Sequence, residues 1–138
     1  MLRRSLVLPT LLCLAAPMLS AGELPLPTAA KLLFIISKGG GENGRIATKH
    51  AEMIAELGKI GSEVNLAGKI AWATTPEDVR LFSMQRKCVV ANDPKYINQG
   101  AAIVIYEDGG KPKIAINQRN VQTSGVALSD AIIKAAMQ

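Results

Sequence analysis

The chain has 138 residues, a formal charge of +5, 4% aromatic residues and two cysteines. Arg3 and Arg4 supply two of those charges, which leaves +3 for everything after them, carried on scattered lysines and arginines. Few aromatics and no basic stripe disfavour nucleic-acid binding, and Cys88 as the sole cysteine beyond the first thirteen residues excludes an internal disulfide, a Cys-x-x-Cys redox pair and haem attachment.

Arg3 and Arg4 precede an apolar run over residues 6–19, interrupted by Pro9 and Pro17. The small residues Ser20, Ala21 and Gly22 follow, and charge returns at Glu23. That order predicts a secretory signal peptide over residues 1–21, cut after Ser20 or Ala21, and so a periplasmic location. The run is short for a membrane span, so a retained signal anchor is the lesser alternative and no stable membrane insertion is expected after cleavage. Cys13 follows Leu11 and Leu12, where a lipoprotein signal needs small residues, and is read as filler. Cys88 precedes Val89 and Val90 in a strand-like run, which predicts a buried thiol.

Residues 22–30 contain Pro25 and Pro27 and read as an extended lead-in. Residues 31–37 are a nearly continuous apolar run, read as a strand buried on both faces. A glycine-rich loop covers residues 38–44. Helical spacing of Met53, Ile54, Leu57 and Ile60 predicts a helix over residues 46–60, capped by Thr48 or Asn43 and ended by Gly58 and Gly61. Residues 64–66 read as a short extended piece and residues 69–73 as a second strand. Thr75 then caps a helix with Pro76 at its first position, running to about Gln85. Residues 88–91 form a third strand, and Asn92-Asp93-Pro94 opens a short helix up to Gln99. Residues 101–106 and 112–117 flank Asp108-Gly109-Gly110, a strong hairpin signal, with Pro112 starting an edge strand. Ser129 caps a final helix that uses Ile132, Ile133 and Ala136.

Strands alternating with helices predict a single α/β domain over residues 31–138: a mixed sheet flanked by helices, with a C-terminal antiparallel hairpin and a terminal helix. The hairpin's exposed edge offers itself to a second copy, so a homodimer is allowed.

Chemistry-bearing patterns are few. Gly39-x-Gly41-x-x-Gly44, placed between an expected strand and an expected helix, can bring backbone amides and a helix N-terminus to an anion. Gly39, Gly40, Gly41, Gly44 and Arg45 are therefore the candidate ligand-binding residues. A dinucleotide is disfavoured, because the second strand ends without an acidic residue for the ribose. The loop also lacks a Gly-Lys-Ser/Thr ending. His50 is the only histidine and reads as an ordinary surface residue of the helix. Trp72 reads as core, and faces a ligand only if its alanine neighbours leave a cleft. Glu77 and Asp93 read as caps, and Thr123-Ser124-Gly125 as a loop rather than a nucleophile elbow. No catalytic residue, metal site or cofactor is expected, and the chain reads as a non-enzyme.

The last fifty residues carry a recognisable order: Cys88-Val89-Val90, Asn98-Gln99-Gly100-Ala101-Ala102-Ile103, Gly110-Lys111-Pro112-Lys113-Ile114-x-Ile116-Asn117, Ser124-Gly125-Val126-x-Leu128-Ser129, and Ile132-Ile133. This resembles the C-terminal part of the YfiR-like family of periplasmic proteins. The resemblance implies a non-enzymatic periplasmic regulatory module that binds the periplasmic part of an inner-membrane signalling protein, such as a diguanylate cyclase. Members with defined regulatory roles carry paired cysteines, so redox control by an internal disulfide is not implied here. The alternative is a periplasmic solute- or anion-binding accessory protein of a membrane transport system, with the glycine-rich loop as its site.

Overall fold

The structure, a computed structural model, describes residues 22–137. The expected signal peptide lies outside the described residues. The chain forms an α/β domain in the element order α1 (Leu26–Gly39), β1 (Arg45–Ile46), α2 (Ala51–Lys59), β2 (Glu63–Val64), β3 (Ile70–Ala73), α3 (Pro76–Met84) and β4 (Cys88–Ala91). A 3-10 turn (Pro94–Asn98), β5 (Ile103–Asp108), β6 (Lys111–Ile116), α4 (Gln118–Ser124) and α5 (Asp130–Ala136) follow.

Four strands run β3-β4-β5-β6, the first three parallel and the last antiparallel. β1 and β2 form a parallel pair. A parallel bridge between Ala47 and Ala71 joins that pair to β3, giving the spatial order β2-β1-β3-β4-β5-β6. The chain therefore builds outward from β1 in one direction and from β3 in the other. Right-handed crossovers on opposite sides of such a switch point put their helices on opposite faces. Accordingly, α2 packs through Met53 and Leu57 with Ile70, Trp72, Cys88 and Val90, whereas α3 packs through Val79 and Phe82 with Ala71, Ala73, Val89 and Ala91. The alternation of these residues along β3 and β4 is the period of two that a sheet covered on both faces requires.

The expected strand over residues 31–37 is corrected: it is the body of α1. Ala29, Ala30, Leu33, Ile36 and Ser37 are buried, a spacing of three and four that makes one helical face. The two prolines read as forbidding a helix instead start one. Pro25 is the N-cap and Pro27 lies in the first turn, where the missing N–H has no intrahelical partner to lose. The extended lead-in thus shrinks to the residues before Leu26. The expected helix over residues 46–60 is shortened, because Ile46 is buried in β1 and α2 starts at Ala51. Its cap is neither Thr48 nor Asn43 but His50, whose Nδ1 accepts from the Met53 amide at 3.3 Å.

Most of the second half is as expected. Thr75 Oγ1 caps α3 through the Asp78 amide, Asp93 caps the 3-10 turn, and Ser129 caps α5. Gly109 and Gly110 turn the hairpin with φ of 61° and 80°, the two positive values a tight primed turn demands. The loop expected around Thr123-Ser124-Gly125 is instead the end of α4, with Gly125 as its left-handed C-cap and Asn117 as its N-cap. Cys88 is buried and unpaired, and burial pushes its thiol up to about 12. Among the described residues, no helix is long and apolar enough to cross a membrane.

Candidate ligand cleft at the carboxyl ends of the strands

Parallel strands gather their ligand-facing loops at their carboxyl ends, beside the switch point. Here that switch lies between β1 and β3, and a cleft of about 260 Å³ opens there. His50 comes from the loop after β1, Glu52 from the first turn of α2, Trp72 and Thr74 from the end of β3, and Asn92 from the residue after β4. Glu23, Leu24 and Leu26 close the remaining side. That N-terminal segment is pinned to β5 by two hydrogen bonds of 2.8 Å, Gly22 N–H to the Glu107 carbonyl and Glu107 N–H to the Gly22 carbonyl.

The polar groups of the cleft are not all used by the fold. Trp72 is 2% exposed, yet its Nε1–H has no hydrogen-bonding partner within the protein. The buried Oδ1 of Asn92 also has none. A polar atom removed from water without a partner costs about 1–3 kcal/mol, so two of opposite kind in one cleft mark a place where the fold gives up stability. Register places them together. Trp72 pairs with Val90, Asn92 directly follows the end of β4, and both line the cleft.

The surrounding groups are held in place. The His50 amide donates to Thr48 Oγ1 at 3.1 Å, and with Nδ1 spent on the helix cap, the neutral ring carries its proton on Nε2. That Nε2 lies 3.7 Å from Glu52 Oε1. Tyr96 Oη donates to the Thr74 carbonyl at 3.4 Å from the opposite layer. Lys49 Nζ stands 4.0 Å from Asp78 Oδ1, linking the loop after β1 to the first turn of α3. Among the described residues no imidazole hydrogen bond reaches a hydroxyl or thiol, the pairing a nucleophile would need. Nor do three His, Cys, Asp or Glu side chains cluster as a metal site.

The glycine-rich loop lies elsewhere, at the amino ends of β1 and β3. Gly39 ends α1, Gly40 is its C-cap, and the loop leads into β1 rather than a helix. The anion argument for Gly39, Gly40, Gly41, Gly44 and Arg45 therefore loses its basis, because a helix C-terminus carries the negative end of the dipole. Most of the loop's amides are also spent. Gly40 donates to Ile36, Gly41 to Lys38, Glu42 to Ser37 and Arg45 to Glu42, all through backbone carbonyls. Gly44 N–H donates to the buried Ser37 Oγ at 2.9 Å, and Ser37 Oγ–H donates to the Arg45 carbonyl at 3.0 Å. Ser62 Oγ–H closes the Gly44 carbonyl. Glu42 clasps the loop to the sheet, accepting from the Lys69 amide at 2.7 Å and lying 3.6 Å from Arg45 Nε. Lys87 stands nearby, donating to the Gly68 carbonyl at 2.6 Å. Burial holds the Lys87 pKa below the usual lysine value, partly offset by Glu42. Gly44 has a φ of 90° and faces the Phe34 ring closely, so its lack of a side chain serves packing.

No family model and no curated protein matches this chain. Among solved structures it is similar to a conserved domain protein from Vibrio cholerae O1 biovar El Tor str. N16961. The two are 12% identical with a TM-score of 0.61, and the match covers 81% of this chain and 59% of the other. The likeness is one of fold. The chain thus spans somewhat over half the length of its structural neighbour, and the α/β architecture read from its sequence is one already seen in a solved structure.

Proposed function

We propose that this domain is a non-catalytic recognition module of the bacterial envelope, which takes a small polar ligand in the cleft and regulates an inner-membrane signalling protein. The observation that carries the ligand half is the pair of buried, unpartnered groups of Trp72 and Asn92 at the carboxyl ends of adjacent parallel strands. Few convergent polar groups in a pre-formed cleft are what orient and select a small molecule. The periplasmic setting and the partner rest on the signal-like N-terminus and on the YfiR-like order of the last fifty residues.

Thermal-shift screening of the purified protein against small polar solutes tests the ligand half. A ligand that binds only the folded chain stabilises it by about 2.7 kcal/mol at a hundredfold excess over Kd. A screen in which no solute shifts the melting temperature would contradict it. Cross-linking in native cells tests the partner half. Recovery of a membrane signalling protein supports regulation. Recovery of a permease instead moves the domain to the role of a solute-binding accessory of transport, which the same cleft equally serves.

A further inference from the structure

We infer that the ligand of this cleft carries a primary carboxamide next to a cationic amine, as an amino-acid amide does. The inference rests on the cleft being a ligand site. At its inner end the indole N–H of Trp72 only donates and Asn92 Oδ1 only accepts. Trp72 stands on β3 and Asn92 directly after the neighbouring β4, and both line the cleft. A donor beside an acceptor is the complement of a primary carboxamide, whose carbonyl oxygen and the N–H syn to it face the same side, whereas in a trans peptide amide they face opposite sides. A carboxylate satisfies Trp72 but meets the Asn92 oxygen lone pair to lone pair. An ammonium satisfies Asn92 and opposes the indole N–H.

Charge at the mouth adds the second requirement. Glu23 and Glu52 line it beside His50, whose Nε2 lies 3.7 Å from Glu52 Oε1, and no lysine or arginine does. The N-terminus of α2 brings partial positive charge to the same place, but Glu52 in its first turn offsets it. A cation is therefore favoured at the mouth while the amide occupies the inner end. Leu24 and Leu26 supply apolar wall for an aliphatic side chain, and a volume of about 260 Å³ holds roughly one such residue.

Trp72 is the only tryptophan in the chain, so its emission reports directly on the cleft. The purified protein is titrated at neutral pH with L-leucinamide, N-acetyl-L-leucinamide, L-leucine and 4-methylpentanoate. We expect a saturable change with leucinamide and binding at least about tenfold weaker for the acetylated amide, which lacks the cation, and for the two carboxylates, which lack the amide. Glu52→Gln should weaken leucinamide and leave N-acetyl-leucinamide unchanged, whereas Asn92→Leu should weaken both, with circular dichroism confirming the fold of each variant. The amide of a Leu-Gly-Gly-Gly tetrapeptide, whose first amide is trans and turns its N–H away from its carbonyl, should bind at least about tenfold more weakly than leucinamide. Binding as tight as leucinamide would overturn the primary-carboxamide class. If 4-methylpentanoate or the acetylated amide binds as tightly as leucinamide, the ligand class is wrong while the cleft remains a ligand site. If neither these probes nor any screened solute alters Trp72 emission, the class and the reading beneath it both fall.

Discussion

At the amino ends of β1 and β3 the chain closes on itself. Ser37 and Glu42 take up the amides of Gly44 and Lys69, and the glycine-rich loop satisfies most of its remaining groups internally. At the carboxyl ends of β3 and β4, Trp72 Nε1 and Asn92 Oδ1 are buried with no partner in the chain. The glycines, although they read as a binding loop, build the end that spends its polar groups on stability. The end that withholds them carries no sequence motif. What sets the carboxyl ends apart is a donor and an acceptor left unpartnered in one cleft; at the amino ends the one such atom among the described residues, Arg45 Nε, lies 3.6 Å from the Glu42 carboxylate.

The contrast can be broken by substitutions at each end. The largest effect expected at the amino ends is alkaline. Cys88 opens β4, and burial raises its thiol from 9.0 to about 12. The folded chain keeps this proton where the unfolded chain loses it, so stability falls as pH rises from about 9 to 12, by up to about 4 kcal/mol. Unfolding midpoints of Cys88→Ala should lose that part of the alkaline slope, and an unchanged slope would mean the thiol does not contribute. Next in size is Ser37→Ala, which strands the Gly44 amide and the Arg45 carbonyl together and should cost about 3 kcal/mol in denaturant unfolding. Glu42→Ala removes a charged acceptor from the Lys69 amide and should cost about 2 kcal/mol, without altering the response of Trp72 to ligand. A Glu42 or Ser37 variant that folds normally yet abolishes that response would place function at the wrong end for this account.

How much of this was legible in the sequence follows from how local each signal is. α3, α5 and the hairpin announce themselves through Thr75-Pro76, Ser129 and Asp108-Gly109-Gly110, residues that satisfy or turn the backbone beside them. Residues 31–37 misled because an apolar run of that length fits a buried strand or a buried helix equally. Ser37, the polar residue that would have broken the tie, is itself buried by its bonds to Gly44 and Arg45. β1 has two residues and shows no period of its own. α4 was lost because Thr123-Ser124-Gly125 reads the same as a loop and as a helix end.

The cleft was legible only in fragments. By sequence Trp72 reads as core, His50 as a surface residue and Asn92 as part of a turn. Its members come from the N-terminal segment and the ends of β1, β3 and β4, so only the strand order brings them together. The usable signal was a polar side chain directly after a buried apolar strand, Ala91 then Asn92, at the end where α/β sheets collect ligands.

Equilibrium urea unfolding of Asn92→Leu against the parent chain separates a polar group held for a ligand from one spent on the fold. The substitution keeps the size of the side chain and removes an oxygen that has no partner. The expected variant is at least as stable as the parent, by up to about 1 kcal/mol, and no longer responds to cleft ligands. A variant destabilised by about 2 kcal/mol or more would show that Asn92 is already spent on the fold, and would contradict the assignment of this end as the binding end.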